Sequence, residues 1–261
     1  MPEGVEIEIY RLAANAVIGR RIESVHAPDT YFIKGGASPG DVRTALEGRR
    51  VTDTDRIGKL LLLELDGEPA ALGLRFGMTG RLVVDDHPVI DKLEYSSDRD
   101  EPAWDRFALT FARGGQLRVN DPRRLGGVEL GPDLSKLGVD LFDATPARLE
   151  TALGNSSVAL KARILDQKRI AGIGNLIADE TLWRAGLDPA RPANSLSETE
   201  LRRLSTTLRR TANKLLAAGG SHLGTLQPAR VRGGVCPRDG TPLQRRTIGG
   251  RTSYSCPLHQ V

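Results

Sequence analysis

A series of short β-rich runs in the first half of the chain limits its fold more than any other sequence feature. Seven such runs lie between residues 21 and 119, and glycine-containing turns separate many of them. They cover residues 21–25, 50–55, 60–65, 71–76, 81–84, 107–111 and 116–119. Because no helical pattern alternates with them, a parallel sheet is disfavoured, and the runs predict an antiparallel β-sandwich or barrel.

The start of the chain and its second half are predicted to be helical. Val5, Ile9, Leu12 and Ala16 recur at helical spacing before Gly19, and we expect them to pack in the core. A polar linker at residues 132–145 precedes four further helical patterns. These lie at residues 146–153, 158–165, 176–185 and 198–218. A β-rich half followed by a helical half predicts the α+β class.

The charged residues are distributed unevenly along the chain. Residues 201–261 contain eleven Lys and Arg and one acid, whereas residues 1–200 contain 26 bases and 32 acids. Most of the C-terminal bases are Arg, which binds phosphate through two parallel hydrogen bonds. This basic segment favours a nucleic-acid partner over a surface that is merely solvated.

The same sequence disfavours membrane and secreted proteins. Its 39% hydrophobic and 27% charged residues are typical of a soluble globular protein, and the longest aliphatic run, 60–63, is too short to span a bilayer. The acidic N-terminus is unlike a secretory signal, and two cysteines do not make a disulfide framework. We therefore expect a monomeric cytoplasmic protein, associated with the nucleoid and not with a membrane.

The first eight residues, MPEGVEIE, contain a candidate nucleophile. Removal of Met1 would leave Pro2 with a free secondary amine, and a chain-terminal amine has a pKa near ~8, below the ~10.4 of lysine. The neutral amine can form a Schiff base with an electrophilic carbon. Glu3 is a candidate proton donor or acceptor, and Glu6 lies one helical turn further on. Taken alone, these residues are also consistent with an ordinary polar helix start.

Three turns of the first half present side chains suited to DNA contacts. The Gly58-Lys59 turn places a lysine at a hairpin tip, and Met78 lies between glycines in a second turn. An apolar side chain there could act as a wedge between base steps or be merely exposed. The third turn, NDPRRLG, presents Arg123 and Arg124, and an ordinary surface turn is the alternative interpretation.

The sequence AGIGNLIADE, at residues 171–180, lies between two predicted helices. Two glycines flank Ile173 and Asn175 begins the following helix, an arrangement in which backbone N–H groups can receive a phosphate. Lys161 on the preceding helix could reach the same phosphate. A plain helix–loop–helix turn is the alternative.

The C-terminal residues contain two pairs of potential metal ligands, each pair three residues apart. They are Cys236 with Asp239, and Cys256 with His259. This spacing and the hairpin-sized insert between the pairs match a zinc-ribbon layout, although Asp is an unusual ligand in a structural site. Free thiols, or a hairpin held by hydrophobic packing without metal, remain alternatives.

Together, and in this order, the motifs resemble those of the formamidopyrimidine-DNA glycosylase and endonuclease VIII family of base-excision repair enzymes. The resemblance covers nearly the whole chain, namely the MPEG start with Glu6, Gly58-Lys59, GMTG, NDPRR, GIGN and the tail hairpin with Arg251. It implies an N-terminal helix and antiparallel β-sandwich catalytic domain (1–131) and a linker (132–145). An all-α helix-two-turn-helix DNA-binding domain (146–230) and a zinc-finger-like β-hairpin (231–261) with a structural zinc ion would follow.

The resemblance also implies a bifunctional DNA glycosylase and AP lyase acting on double-stranded DNA that contains damaged bases or abasic sites. The catalytic residues would be Pro2 as nucleophile on C1′, Glu3 as acid or base, Glu6 in support of the pocket, and Lys59 beside the lesion phosphate. The DNA-binding residues would be Met78, Arg123, Arg124, Leu125, Lys161, Asn175 and Arg251. Some would hold phosphates and others would fill the space left by the everted base. A non-catalytic protein that binds damaged DNA is the alternative.

Four features of the chain depart from the family pattern. Val5 replaces a second proline, with little expected effect, and Leu125 replaces an aromatic residue, which is expected to relax the opposite-base preference. Asp239 and His259 occupy positions that are usually cysteine. The loop at 221–235 is shorter than the loop that covers 8-oxoguanine in the formamidopyrimidine branch. Its length predicts an endonuclease VIII-like preference for oxidised pyrimidines, ring-opened purines and abasic sites.

Overall fold

The computed structural model describes residues 2–91, 93–94, 97 and 99–261. The predicted removal of Met1 concerns a residue outside this set. The chain forms two compact units. Unit 1 consists of Pro2 with Glu6–Leu134, and unit 2 consists of Glu3–Val5 with Ser135–Val261.

Unit 1 contains nine strands in two antiparallel sheets, counted over the described residues. The strands are β1 (Ile22–His26), β2 (Val51–Ile57), β3 (Leu60–Leu65), β4 (Ala71–Arg75), β5 (Arg81–Val84), β6 (His87–Pro88), β7 (Asp105–Phe111), β8 (Gln116–Asn120) and β9 (Gly127–Leu130). One sheet has the order β1-β7-β8-β5-β6 and the other β2-β3-β4-β9. Apolar side chains of both sheets enter one core, which confirms the predicted antiparallel sandwich.

Helix α1 (Gly4–Ala14) buries only part of the predicted face: Val5 is fully buried and Ile9 packs against the core of unit 1, as predicted. Leu12 is 49% exposed and Ala16 is also exposed, so the expectation that both pack in the core was wrong. The side chains that enter the core of unit 1 are Ile7, Tyr10, Ala14 and Val17. Glu6 is buried on the same side, and apolar periodicity cannot identify a buried face that includes an acid.

Helix α2 (Pro39–Leu46) was not predicted, because its eight residues bury only Val42 and Leu46. Its start is nevertheless well defined. Ser38 and Asp41 form a capping box, in which each side chain accepts a hydrogen bond from the other residue's backbone N–H.

Unit 2 is mainly helical. Its helices are α3 (Pro146–Leu153), α4 (Leu160–Leu165), α5 (Asn175–Ala185) and α6 (Glu198–Ala218). Its strands are β10 (Val139–Asp140) with β11 (Ile170–Ala171), which are parallel, and the antiparallel hairpin of β12 (Gln244–Ile248) and β13 (Arg251–Ser255). The predicted α+β class is therefore confirmed. No helix in the described part of the chain is long and apolar enough to cross a membrane.

Candidate functional site

The carboxylate of Glu3 lies at the N-terminus of α5 within unit 2. Glu3 is fully buried, and its Oε1 accepts a hydrogen bond from the Leu176 N–H at 2.8 Å. Its Oε2 accepts from the N–H groups of Gly174 at 3.1 Å and Ile177 at 3.0 Å. The first turn of a helix has unpaired N–H groups and a positive dipole end, so a buried carboxylate is stabilised there.

The glycines of the GIGN sequence allow this close approach. A Cβ atom on Gly174 would lie 2.1 Å from the Glu3 Cδ, so a side chain at this position would displace the carboxylate. The Gly4 N–H also donates to the Gly172 carbonyl at 2.8 Å. The N–H groups of this turn were predicted to bind a phosphate. In the structure, they bind the carboxylate of Glu3 instead.

The side chain of Asn175 remains a candidate for contact with DNA. It is half-buried, and its Oδ1 has no hydrogen-bond partner among the residues that the structure describes. A buried amide oxygen without a partner is rare in folded proteins, and functional groups are prominent among the exceptions.

Lys161 does not lie where direct phosphate contact would require it. The side chain is fully buried, and its Nζ lies 2.6 Å from Asp179 Oδ1 and donates to the Thr252 carbonyl at 3.0 Å. Burial lowers the pKa of Lys161, while the charge of Asp179 acts in the opposite direction. Because the ammonium is fully enclosed by protein, it supports the structure around it rather than reaching DNA.

Arg251 is exposed at the start of β13, where the β12–β13 hairpin turns through Gly249 and Gly250. Both glycines have positive φ values, 57° and 71°, as a two-residue hairpin turn requires. A Cβ atom on Gly249 would lie 2.8 Å from the Ala162 Cβ, so the hairpin tip packs closely on α4. The turn therefore presents Arg251 at the edge of unit 2.

Pro2 and Glu6 are both buried in unit 1. Burial, followed by the charge of Glu6, raises the pKa of Tyr10, whose hydroxyl donates to the Gly80 carbonyl at 3.3 Å. The neutral phenol therefore links α1 to the turn at residues 77–80, which carries Met78.

Lys59 lies at the tip of the β2–β3 hairpin and is half-buried. The preceding Gly58 has a φ of 58°, and its carbonyl accepts a hydrogen bond from Arg56 at 3.1 Å. Arg56 also forms an ion pair with Glu8 of α1 at 3.0 Å. The hairpin that carries Lys59 is thus attached to the first helix within unit 1.

The two turns that carry Met78 and Leu125 are joined through Asp121. This fully buried carboxylate accepts from the Thr79 hydroxyl at 2.5 Å and the Gly126 N–H at 2.8 Å. A Cβ atom on Gly77 would lie 2.4 Å from the carbonyl carbon of Leu125, so the two turns are in direct contact. Met78 is half-buried and Leu125 is 45% exposed. The two apolar side chains therefore belong to one connected surface.

The two arginines next to Leu125 differ in their surroundings. Arg124 has a φ of 58° and forms a bidentate ion pair with Asp29, with distances of 2.5 and 2.7 Å. This pair lowers the pKa of Asp29. Arg123 is exposed, and its guanidinium forms no ion pair with any described residue. Arg123 is therefore available for DNA. The side chain of Arg124 is 49% exposed and keeps N–H donors outside the pair, but Asp29 neutralises its charge.

Cys236, Asp239, Cys256 and His259 converge in unit 2. Their potential ligand atoms all lie within 4.8 Å of one another. Cys236 Sγ lies 3.8 Å from His259 Nδ1, and Cys256 Sγ lies 3.4 Å from Asp239 Oδ2. Zinc bonds of ~2.0–2.3 Å imply ligand separations of ~3.3–3.8 Å in a tetrahedron, and these two distances match that range. Asp239 Oδ2 and His259 Nδ1 lie only 2.8 Å apart, so these two donors would have to separate to bind the same ion.

The groups around this cluster also suit a metal. His259 faces the cluster with Nδ1, and its Nε2 lies 3.3 Å from the Trp183 carbonyl, as in many metal-bound histidines whose second nitrogen is held by an acceptor. The Trp183 indole N–H donates to Cys236 Sγ at 3.3 Å. Hydrogen bonding from Thr241 lowers the pKa of Asp239, which favours the ionised ligand. The cluster could therefore bind a metal ion.

Three buried acids that organise these sites were not predicted. Asp121 organises the turns of unit 1, Asp179 pairs with Lys161, and Glu180 accepts the N–H groups of Thr225 and Leu226 at 3.1 and 2.8 Å. For two of these acids, their position in the sequence was a signal that could have predicted their role. Asp179 and Glu180 lie in α5, where six of the nine other residues are apolar, and a charge on the buried side of such a helix needs a buried partner.

Comparison with known proteins agrees with this architecture. The family model for the formamidopyrimidine-DNA glycosylase N-terminal domain matches residues 1–128, and the model for the formamidopyrimidine-DNA glycosylase H2TH domain matches residues 137–226. The formamidopyrimidine-DNA glycosylase of Thermus thermophilus is 36% identical over 289 residues, which cover 100% of this chain and 98% of the relative.

Solved structures give the same result. The complex between the Lactococcus lactis enzyme and DNA containing an abasic site is similar, with a TM-score of 0.81, 25% identity and 99% coverage of both chains. A complex of the wild-type Lactococcus lactis enzyme with DNA containing an oxidised pyrimidine has the same scores. Together with the matched domains, which span most of the sequence, these similarities confirm the family predicted from the motifs. The chain belongs to the formamidopyrimidine-DNA glycosylase family of bifunctional DNA glycosylases and AP lyases.

Proposed function

We propose that this protein removes oxidised bases from double-stranded DNA and cleaves the strand at the resulting abasic site. Family membership supports the two activities, and the similar structures contain DNA with an abasic site or an oxidised pyrimidine. Pro2 would be the nucleophile, after loss of Met1. We also propose that the chain is divided into a catalytic domain (1–131), a linker (132–145), a DNA-binding domain (146–230) and a finger (231–261).

The proposed reaction begins when the Pro2 nitrogen attacks C1′ of the damaged nucleotide. A new C–N bond forms as the glycosidic bond breaks, and the base leaves with a proton supplied from the site. Opening of the sugar ring gives a Schiff base, which makes the C2′ proton acidic. Loss of that proton expels the 3′ phosphate and nicks the strand. Glu3 would carry protons in these steps, and Glu6 would support the pocket.

The anchoring of the chain immediately after Pro2 is the observation that most strongly supports this mechanism. Three N–H groups of unit 2 bind the Glu3 carboxylate, and the Gly4 N–H binds the Gly172 carbonyl. Free chain termini usually fray, whereas a nucleophile must be held within tenths of an ångström of its reacting position. The hydrogen bonds of Glu3 and Gly4 would restrict Pro2 in this way.

The DNA-binding residues would act in two groups. Lys59, Asn175 and Arg251 would hold phosphates around the everted nucleotide, with Lys161 supporting Arg251 from inside unit 2. The connected turns would insert the side chains that replace the base in the helix. These are Met78, Arg123 and Leu125, with Arg124 beside them. Eversion costs a few kcal/mol of stacking, and these contacts would offset that cost.

The proposed lesion range is endonuclease VIII-like: oxidised pyrimidines, ring-opened purines and abasic sites, with weak activity on 8-oxoguanine. The segment at 221–235 supports this range, because it is short and compact. Glu180 holds its backbone at Thr225 and Leu226, and the Leu226 side chain is fully buried. A Cβ atom on Gly234 would lie 1.9 Å from the Ala229 carbonyl oxygen. A segment of this length is too short to fold over a large purine base.

Borohydride trapping with abasic-site DNA tests the central step. The wild-type protein should form a covalent complex, and mass spectrometry should locate the adduct on the N-terminal peptide. Pro2→Gly should reduce trapping sharply, and a chain that retains a residue before Pro2 should give none. Glu23→Gln, at an exposed position of β1, is the matched control and should trap normally. Specific binding without trapping or nicking by processed protein would instead favour the non-catalytic damaged-DNA binding function.

A panel of single-lesion duplexes tests the proposed range. Thymine glycol, dihydrouracil, formamidopyrimidine, 8-oxoguanine and abasic sites should be compared under single-turnover conditions. Excision of 8-oxoguanine as fast as that of thymine glycol would contradict the preference inferred from the segment at 221–235.

We also propose that Cys236, Asp239, Cys256 and His259 hold a structural zinc ion. The ion would fix the base of the β12–β13 hairpin, since Cys256 directly follows β13. Metal analysis of the purified protein should give close to one zinc ion per chain, and Cys256→Ser should lose it. A metal-free, fully folded protein that binds DNA normally would show that packing alone holds the hairpin.

A further inference from the structure

Three charged side chains form a cluster inside unit 2. Asp179 Oδ1 lies 2.6 Å from Lys161 Nζ, and Asp179 Oδ2 lies 3.0 Å from an Arg230 nitrogen. The side chains of Lys161, Asp179 and Arg230 are only 0%, 1% and 6% exposed. Because charges leave water at a high cost, a buried cluster of this kind must be well hydrogen-bonded, and loss of its one acid would leave two buried cations without a counter-charge.

Apart from a hydrogen bond from Arg230 to Gln227 Oε1 at 3.1 Å, the remaining hydrogen bonds of the cluster go to one strand of the hairpin. Asp179 accepts from the Ser253 hydroxyl at 3.1 Å and from the Tyr254 N–H at 3.3 Å. Lys161 donates to the Thr252 carbonyl at 3.0 Å. Thr252, Ser253 and Tyr254 are the three residues that follow Arg251. Asp179 and Lys161 thus fix the position of β13 on helices α4 and α5 at the point where Arg251 begins the strand.

This attachment is separate from the proposed metal site. The four potential metal ligands follow β13 or precede β12, whereas the charge cluster binds the middle of β13. A second ion pair, between Arg246 and Asp188 at 2.5 Å, holds β12. The cluster is therefore the attachment nearest to Arg251 in sequence on its own strand.

We propose that Asp179 is a positioning residue for DNA binding, and that it holds β13 so that the exposed guanidinium of Arg251 meets a phosphate of the damaged strand. This inference rests on the proposed function, in which Arg251 contacts DNA. Asp179 itself touches no DNA. It acts through the hairpin, so its contribution should appear in affinity and not in the rate of the chemical steps.

The experiment compares Asp179→Asn, Arg251→Ala and the double variant. The substrate is an abasic-site duplex for trapping and rate measurements, and a non-cleavable analogue of it for binding. Each single substitution should weaken binding about tenfold. It should also reduce the slope of log affinity against log salt concentration by about the amount that one phosphate contact contributes. The double variant should be no more than about twofold weaker than Arg251→Ala, because both changes remove one contact. The rate of Schiff-base formation at saturating protein should stay within about threefold of wild type.

Two further variants separate positioning from loss of folding. Glu200→Gln makes the same change of charge in unit 2, at an ion pair with Arg191, and has no contact with the hairpin among the described residues. It should leave affinity unchanged. Ser253→Ala removes only one bond to Asp179 and keeps the buried charges paired, so it remains informative if Asp179→Asn does not fold. It should weaken binding in the wild-type background and have no effect in the Arg251→Ala background.

The outcomes distinguish this inference from the proposed function. If Arg251→Ala weakens binding while Asp179→Asn and Ser253→Ala do not, the positioning role is refuted and the glycosylase function stands. Fully additive effects of Asp179→Asn and Arg251→Ala would also refute it, as would an unchanged affinity in Arg251→Ala. Failure of the wild-type protein to form a trapped complex would refute the proposed function itself.

Discussion

Replacement of Glu3 by Gln should destabilise the protein even without DNA. The carboxylate of Glu3 accepts three backbone N–H groups, two on Oε2 and one on Oε1. An amide offers only one acceptor oxygen, and its NH2 group would face at least one buried N–H. The substitution therefore removes a charge from a helix N-terminus and creates a donor–donor contact in the interior, although it keeps the size of the side chain.

The expected cost can be worked out from these contacts. A buried N–H that loses its acceptor costs about 1–3 kcal/mol. Loss of the negative charge at the start of α5 adds roughly 0.5–2 kcal/mol. The free energy of unfolding should therefore fall by about 2–5 kcal/mol, which corresponds to a decrease in Tm of roughly 5–15 °C for a chain of this size. This loss would reduce measured activity at elevated temperature independently of any proton transfer by Glu3.

Thermal unfolding of DNA-free Glu3→Gln, followed by circular dichroism, measures this cost. Glu23→Gln is the matched control, because Glu23 is exposed on β1 and such a surface substitution should change stability by about 0.5 kcal/mol or less. One kcal/mol corresponds to a Tm change of about 3 °C, so a Tm for Glu3→Gln within 2 °C of wild type would refute the structural role of the carboxylate. The same would follow if Glu23→Gln were the less stable variant.

Three further predictions concern the metal cluster, an acid at the start of α6, and the connected turns. Zinc added to chelated protein should change the fluorescence of Trp183, whose indole N–H bonds Cys236, and Cys256→Ser should remove this response. Arg191 lowers the pKa of Glu200 from 4.5 to about 2, so its stabilisation is complete above pH 4.5 and is lost as the pH falls towards 2. When the pH is lowered from 4.5 towards 2, the free energy of unfolding should therefore fall less in Glu200→Gln than in wild type, as measured by denaturant unfolding. The expected difference is about 1 kcal/mol after solvent screening. Asp121→Asn should uncouple the turns at residues 77–80 and 121–126, weakening binding to abasic-site duplex more than binding to undamaged duplex; equal weakening would contradict this.

The sequence predicted the strands and long helices of this protein well, since local patterns determine them. The runs at 60–65 and 81–84 and the helices at 146–153 and 198–218 have the predicted bounds. The buried face of α1 was not predictable in the same way. Leu12 has the apolar character of a core residue, but Glu6 and Tyr10 occupy the buried side. The Tyr10 hydroxyl is satisfied there by the Gly80 carbonyl, which is distant in sequence.

The motifs predicted the residues of the candidate site, but they did not predict the hydrogen bonds and ion pairs that hold those residues in place. Lys161 illustrates the difference, because a lysine near a glycine-rich turn suggests phosphate binding whether or not its charge is already paired. The partner, Asp179, is 18 residues further along the chain, and only the packing of α4 on α5 brings the two together. The ligand cluster was predictable for the opposite reason, since two pairs at fixed spacing on a hairpin leave few other arrangements.

The charge distribution of the two units bears directly on how this protein would bind DNA. Unit 2 contains 19 Lys and Arg against 11 Asp and Glu, whereas unit 1 contains 18 against 22. Several bases of unit 2 are nevertheless paired with acids, including Lys161, Arg230 and Arg246. A paired base releases few counterions on binding, so the salt dependence of affinity should reflect the unpaired arginines and not the net charge. A small group of positioned guanidiniums such as Arg251, held in place by paired and buried charges, would therefore determine most of the electrostatic contribution.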